Sequence, residues 1–293
     1  MNWQKNLKTK VREQEPLKNH TTFKIGGPAR FFSQPKNYDQ LKELLGSAKE
    51  NKIPVFILGA GSNILAGDKG LNALVLKLDS ARFKEIIYRA DCLIAGSGVL
   101  LSQLINSAAS RGICGFEFLA GIPATVGGAL AMNAGAWGEN IANSVQQVEV
   151  MEYNGRMKIL NKTNIRFSYR KSNLSKYIIL NARFKILKKN KAKIRERIKE
   201  YLTLRRNSQG MTLPNAGCIF KNPAGESAGK LIELCGLKGK KSGGACISRK
   251  HANFIVNQGR ASAKDVLKLI GLVKRKVKHK FGLDLEPEIK IWD

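Results

Sequence analysis

The stretch Ile57-Leu58-Gly59-Ala60-Gly61-Ser62-Asn63-Ile64-Leu65 lies where an apolar run gives way to glycine, serine and asparagine, and its reading decides the fold. Val55-Phe56-Ile57-Leu58 is short and apolar, which predicts a buried strand. Gly59 and Gly61, just past its end, permit a tight turn because no Cβ stands in the way. Such a turn presents successive backbone N–H groups. With Ala60 between the glycines and the side-chain donors of Ser62 and Asn63 after them, the turn can cradle an anion such as phosphate. A glycine pair after a strand serves equally as a plain turn, so a second segment has to separate the two readings.

Gly121 to Gly138, GIPATVGGALAMNAGAWG, carries five glycines and five alanines in eighteen residues. Small residues at this density let backbone lie close against a flat ligand. The first segment has the opening two glycines of G-x-G-x-x-G, but Ile64 occupies the third position. Gly67-Asp68-Lys69-Gly70 then follows where an amphipathic helix should run. The Rossmann fingerprint therefore lacks its required context. Two glycine-rich loops in one strand-rich region suggest instead a long ligand held across both, and flavin adenine dinucleotide (FAD) fits that description.

A chain of 293 residues can bury a sizeable core and divide into two domains. Its 43% hydrophobic and 25% charged content is that of an ordinary globular protein. The N-terminal MNWQKNLKTKVREQEPL has no apolar signal region, and no apolar run reaches the roughly 18 residues of a membrane span. A cytoplasmic protein without membrane contact is expected. Cys92, Cys114, Cys218, Cys235 and Cys246 form an odd set with no C-x-x-C pair, and the only histidines are His20, His251 and His279. These argue against a disulfide framework and against a metal site.

The formal net charge of +29 raises the question of nucleic acid. Lys188 to Arg206 holds nine Lys/Arg in nineteen residues, yet Ile194, Ile198, Tyr201 and Leu202 recur through it at helical spacing. That pattern predicts an amphipathic helix with a solvated basic face. No nucleic-acid module accompanies it. The expected partners are small anionic molecules, which a positive field steers into a cleft, and not nucleic acid.

Along the chain, Tyr38–Lys52 and Leu100–Ser110 read as helices, the second stopped by Gly112. Ala73–Leu78, Cys92–Ala95 and Tyr177–Leu187 read as strands. Val145–Tyr153 and Met157–Leu160 flank Asn154-Gly155, a hairpin signal. A basic helix from about 191 to 204 precedes a polar loop, Asn207 to Asn215. Downstream, Gly217–Lys221 and Phe254–Val256 read as strands and Glu226–Cys235 as a helix ended by Gly236. Ser262 with Asp265 reads as a capping box opening the last long helix, and Glu288–Trp292 as a final strand.

Six stretches carry a wider likeness: Thr21-Thr22-Phe23-Lys24-Ile25-Gly26-Gly27; Gly59 to Asn63; Gly121-Ile122-Pro123-Ala124 with Asn133-Ala134-Gly135-Ala136; Phe167-Ser168-Tyr169-Arg170; Asn215 to Pro223; and Leu285-Glu286-Pro287-Glu288. In order and spacing they resemble the UDP-N-acetylenolpyruvoylglucosamine reductase family of bacterial cell-wall flavoenzymes, over nearly the whole chain. The resemblance implies an α+β protein. An FAD-binding domain of the vanillyl-alcohol-oxidase type would span 1–190, in two subdomains split near 75. A C-terminal α+β substrate-binding domain would span 191–293, its last strand carrying Glu288 into the active site. The short passage from Arg170 to Cys218 resembles the subgroup lacking an extra tyrosine-bearing loop.

The implied reaction has NADPH reduce noncovalently bound FAD, which then reduces the enolpyruvyl group of UDP-N-acetylglucosamine enolpyruvate to UDP-N-acetylmuramate. The implied cofactor contacts are Gly59, Ala60, Gly61, Ser62, Asn63, Gly121, Ile122, Pro123, Ala124, Gly128, Asn133 and Gly135. Arg206, Asn222 and His251 are implied for the UDP-sugar, with His251 standing where some members carry glutamine. The protein is expected to be a monomer.

Hydride addition to an enol ether conjugated to a carboxylate drives negative charge into that carboxylate, so the site must stabilise an enolate-like species and protonate its α-carbon. Arg170 suits the first task, being always charged and able to meet a carboxylate bidentately. Glu288 is its implied partner. Cys218 stands where other members carry a serine proton donor, and a thiol, with an ordinary pKa of about 8.5, is a much stronger acid than a hydroxyl. A buried structural cysteine is the alternative. An FAD-linked oxidase is a competing reading, weakened because no histidine for covalent flavin attachment lies between His20 and His251.

Overall fold

Leu41, Leu44, Leu45 and Ala48 fall on one face of α1 (Tyr38–Glu50) and are buried, as their spacing requires. Asn37 starts the helix by accepting a hydrogen bond from the Gln40 amide through its side chain. In this computed structural model, which describes residues 3–209 and 212–293, the chain gathers into two units. The first comprises the chain up to Glu13, Phe31–Ala60 and Asn72–Leu204. The second comprises Gln14–Arg30, Gly61–Leu71 and Arg205–Asp293.

In the first unit, Val55–Leu58 pairs in parallel with Leu71–Lys77, Val55 opposite Leu74 and Leu58 opposite Lys77. A second sheet is antiparallel throughout, in the order Met157–Asn161, Val145–Met151, Ile178–Lys185, Cys92–Gly96, Ile86–Tyr88. The Asn154-Gly155 turn closes its outer hairpin, with Gly155 at φ +86° and its amide donating to the Glu152 carbonyl at 2.9 Å. Against this sheet pack α2 (Leu101–Ser110) and the short α3 (Val126–Ala131), which bury Leu101, Leu104, Val126 and Leu130. A separate core joins α1 to Phe31, Leu74, Leu76 and Phe83. Met151, Ile178 and Leu180 of the antiparallel sheet also belong to this second core. A division near residue 75 would cut through the Leu71–Lys77 strand.

The second unit holds a four-stranded antiparallel sheet in the order Asn215–Cys218, Phe254–Asn257, Ala245–Ile247, Lys241–Ser242. Val266, Leu269, Ile270, Val273 and Val277 of α6 (Ala263–Phe281) share its core with Phe23, Ile25 and Leu65. The capping box forms as the sequence predicts: Ser262 accepts from the Asp265 amide and Asp265 from the Ser262 amide, with Gly282 at φ +72° closing the far end. α5 (Ala228–Leu234) is capped by Ser227.

Two expectations need correction. The basic helix, α4 (Lys191–Ser208), runs beyond residue 204 and takes in Arg205 to Ser208, because arginine is a good helix former and nothing before Gln209 breaks the pattern. The remaining polar loop includes residues 210 and 211, which lie outside the described residues. Of the apolar residues of α4 that recur at helical spacing, Ile194 and Tyr201 are buried, whereas Leu202 is exposed. The last strand is Lys290–Trp292, pairing in parallel with Ile64–Ala66. Glu288 lies ahead of it, in a segment whose backbone pairs with Ile219 to Lys221 instead. By backbone contacts the change between the units falls after Leu204, and 14–30 and 61–71 group with the C-terminal segment.

Candidate active site

Strand Asn215–Cys218 is bulged. Asn215 opposes Val256 and Cys218 opposes Phe254, so three steps on one strand face two on the other. The extra residue is accommodated at Gly217, whose φ is +76° and whose amide donates to the Asn215 side chain at 3.0 Å. Beyond Cys218 the chain runs beside the segment that carries Glu288. The Glu288 amide donates to the Ile219 carbonyl at 2.7 Å, Phe220 bridges to Pro287, and the Lys221 amide donates to the Glu286 carbonyl at 2.9 Å. Cys218 and Glu288, seventy residues apart in sequence, therefore stand on neighbouring backbones.

Asn253 holds this arrangement, and the sequence reading missed it. It is 2% exposed, accepts from the Phe220 amide at 2.9 Å and donates to the Phe220 carbonyl at 2.8 Å, while its own carbonyl accepts from the Ile219 amide. A buried asparagine whose side chain bonds both backbone groups of one residue is a backbone clamp. His251 packs edge-on to Phe254, and its Nδ1 accepts from the Asn253 amide at 3.2 Å. Burial, reinforced by the Lys238 ammonium, pushes its imidazole pKa down, which favours the neutral ring. Asn222 accepts from the Ala228 amide at the start of α5. Arg206 is exposed on α4, and its carbonyl takes a bond from Lys250 Nζ at 2.9 Å.

Arg170 belongs to the first unit. It sits in the turn between the short strands Phe167–Ser168 and Lys171–Ser172, in the left-handed conformation at φ +55°. A bulky side chain held there stores strain of a kind that clusters at functional sites. Its Nη1 donates to the Gly135 carbonyl at 2.9 Å, its guanidinium lies 5.2 Å from the Tyr169 ring centre, and Asn133 Nδ2 braces the same turn through the Ser168 carbonyl at 3.0 Å. Asn133, Gly135 and Arg170 are thus one cluster.

The glycine-rich segments divide in character. The amides of Ala60, Gly61, Ser62 and Asn63 donate to no acceptor among the described residues, although Gly61 is buried and its neighbours half-buried. Four successive amides in that state fit a diphosphate. In contrast, the start of α3 is satisfied internally. The Val126 and Gly127 amides donate to the Val99 and Ser97 carbonyls, and that of Gly128 to Thr125 Oγ1. Gly121, Ile122, Pro123 and Ala124 lead into this helix, and a Cβ on Gly59 would stand 2.7 Å from Thr125 Oγ1. Gly61 has a second reason to be glycine: its φ is +68°, and a Cβ there would lie 2.1 Å from the His20 carbonyl oxygen.

Residues 29–161 match the family described as the FAD binding domain, which sets the chain among flavin-binding proteins by class. Residues 208–292 match the C-terminal domain of UDP-N-acetylenolpyruvoylglucosamine reductase. The reductase of Caldanaerobacter subterraneus subsp. tengcongensis is 44% identical over 96% of this chain and 93% of its own. That of Moorella thermoacetica is 42% identical over 99% and 95%. The crystal structure of UDP-N-acetylenolpyruvylglucosamine reductase from Thermus caldophilus superposes with a TM-score of 0.84 at 36% identity, covering 98% of this chain and 100% of that one. The chain belongs to the UDP-N-acetylenolpyruvoylglucosamine reductase family. Among the described residues no helix is long and apolar enough to cross a membrane, and no group of three or more His, Cys, Asp or Glu could hold a metal ion.

Proposed function

We infer that this protein is an FAD-dependent oxidoreductase that uses NADPH to reduce the enolpyruvyl group of UDP-N-acetylglucosamine enolpyruvate, giving UDP-N-acetylmuramate for peptidoglycan. The observation that carries the reading furthest is the pairing of the Cys218 and Glu288 segments within a chain related to these reductases along its full length. FAD, when bound, would supply the hydride chemistry, with NADPH as the reductant and the enolpyruvyl group as the acceptor.

The residues of the chain supply the rest. The unpartnered amides from Ala60 to Asn63 would hold the diphosphate of the cofactor, with Gly59, Gly121 to Ala124, Gly128, Asn133 and Gly135 lining the remainder. Arg170, its guanidinium fixed by the Gly135 carbonyl, would meet the enolpyruvyl carboxylate as negative charge develops there. Cys218 would give its proton to the α-carbon, leaving a thiolate to be reprotonated from solvent, and Glu288 would act beside it at the carboxylate. For the UDP-sugar we assign Asn222, His251 and Arg206. Neutral His251 would act as a hydrogen-bond donor and not as a cation. In this reading residues 1–190 serve FAD and 191–293 the substrate, and the protein acts as a cytoplasmic monomer on small molecules, away from nucleic acid and membranes.

The test is spectroscopic and enzymatic. The purified protein should be yellow, acid should release all of its flavin into solution, and NADPH oxidation should depend on the enolpyruvyl sugar. A colourless protein, or oxygen consumption without that substrate, would overturn the assignment.

A further inference from the structure

Thr22 lies in a segment for which the reaction as described has no use, yet it touches both the cofactor loop and the strand that bears Cys218. Its amide donates to the Gly61 carbonyl at 3.1 Å. Its hydroxyl donates to the Asn215 carbonyl at 2.7 Å, with the Gly61 carbonyl farther off at 3.5 Å. Asn215 then receives the Gly217 amide on its side chain, the bond that supports the bulge immediately before Cys218. The chain of contacts therefore runs from Gly61 through Thr22 and Asn215 to Gly217 and Cys218, all within the second unit.

The segment is itself anchored. Asn257 Nδ2 donates to the Phe23 carbonyl at 3.1 Å, Thr21 Oγ1 to the Ile25 carbonyl at 3.1 Å, and the His20 carbonyl packs on the Cα of Gly61. Thr22 is therefore a fixed point from which a strand can be placed. A hydroxyl has one proton to give, and at 2.7 Å it goes to Asn215. The Gly61 bond belongs to the backbone and survives any substitution other than proline.

We propose that Thr22 is a positioning residue that sets the strand bearing Cys218 relative to the loop of Gly61, so that the proton donor keeps its register with the bound cofactor. The proposal rests on the reading of Cys218 as proton donor. Thr22→Val removes the hydroxyl, keeps the shape and leaves the amide bond intact. In the flavin-loaded protein, NADPH should reduce the flavin within about twofold of the wild-type rate. Reoxidation by the enolpyruvyl substrate should slow by about threefold to tenfold, the loss of one modest hydrogen bond. Alkylation of Cys218 by iodoacetamide, followed by mass spectrometry of its peptide, should change at least threefold, and Thr22→Ser should restore both rates.

Thr22→Ala also removes the hydroxyl but lacks the methyl that valine would press toward the Asn215 carbonyl, and must move both rates in the same direction as Thr22→Val. If Thr22→Val and Thr22→Ala leave substrate reoxidation and Cys218 alkylation unchanged, or slow both half-reactions equally, Thr22 does not position the donor. Cys218→Ala separates this from the underlying reading. Should that variant turn over normally, the donor assignment fails, and the alkylation rate alone then decides whether Thr22 sets the strand.

Discussion

Two glycines share a left-handed backbone but not their surroundings, and alanine at each separates backbone strain from steric exclusion. Gly61 has φ +68° and Gly217 φ +76°. A Cβ on Gly217 would meet nothing within 4 Å, so Gly217→Ala bears only the left-handed penalty, about 1–2 kcal/mol. A Cβ on Gly61 would stand 2.1 Å from the His20 carbonyl oxygen and 2.8 Å from Thr21 Cα, both backbone atoms with no rotamer to escape into. Gly61→Ala therefore adds an overpacking term of about 1–3 kcal/mol, for a total of about 2–5 kcal/mol. Denaturant unfolding of flavin-free protein reads both losses, and titration of the same samples with FAD reads the second consequence. The turn at 20–22 and the loop at 60–63 must part to admit the methyl, so FAD affinity should fall steeply in Gly61→Ala and by less than threefold in Gly217→Ala. Equal destabilisation by the two variants would refute the steric argument. Unchanged FAD affinity in Gly61→Ala would refute the placing of the cofactor diphosphate at this loop.

Arg170→Lys keeps the charge but loses the planar fork, so substrate-dependent flavin oxidation should slow strongly while reduction by NADPH does not; equal slowing of both would remove Arg170 from the carboxylate. Cys218→Ala should cut turnover by about a hundredfold to ten-thousandfold with Cys218→Ser recovering most of it, and product made in heavy water should carry deuterium at the α-carbon. Normal turnover in Cys218→Ala would make the thiol a packing residue. His251 has a folded pKa below its unfolded value of about 6.5, so the unfolded chain binds the extra proton; the stability this ring contributes is present above that pH and lost as pH falls through it. His251→Gln should flatten that part of the stability profile, and an unaltered profile would show that the ring does not titrate there.

What the sequence announces of the candidate site rests on glycine, arginine and cysteine, which declare unusual backbone or chemistry at their own positions. Gly59, Gly61 and Arg170 all do so. What stayed hidden depends on partners far away in sequence. The reason Gly61 must be glycine is the His20 carbonyl, and nothing local announces it. Asn253, in the run Ala252-Asn253-Phe254, looks like a loop residue until Phe220 is seen bonding to both ends of its amide. Glu288 reads as part of the last strand because Ile289 to Trp292 continue an apolar run, whereas its partner is the Ile219 carbonyl, nearly seventy residues away. The reach of α4 to Ser208 is hard to see in the sequence because Asn207 and Ser208 are polar residues common in loops, although the arginines before them propagate a helix readily.

In the proposed role of Cys218 as proton donor, a cysteine in place of a serine leans on the bulge more than on acidity. Side chains alternate along a strand, so one extra residue reverses the face that every later side chain presents. With regular pairing from Asn215 opposite Val256, the residue opposite Phe254 would be Gly217; the bulge puts Cys218 there instead. The sulfur is larger than a hydroxyl oxygen and its bonds are longer, so the same backbone carries the proton to a slightly different point. Two features can absorb that difference without loss of register. Gly217 has open space around its Cα, and the peptide beyond Cys218 is held by Asn253 on one side and Glu288 on the other. The clamp thus fixes the strand just after the donor while the glycine leaves room just before it, an arrangement in which either a thiol or a hydroxyl can be aimed from the same backbone.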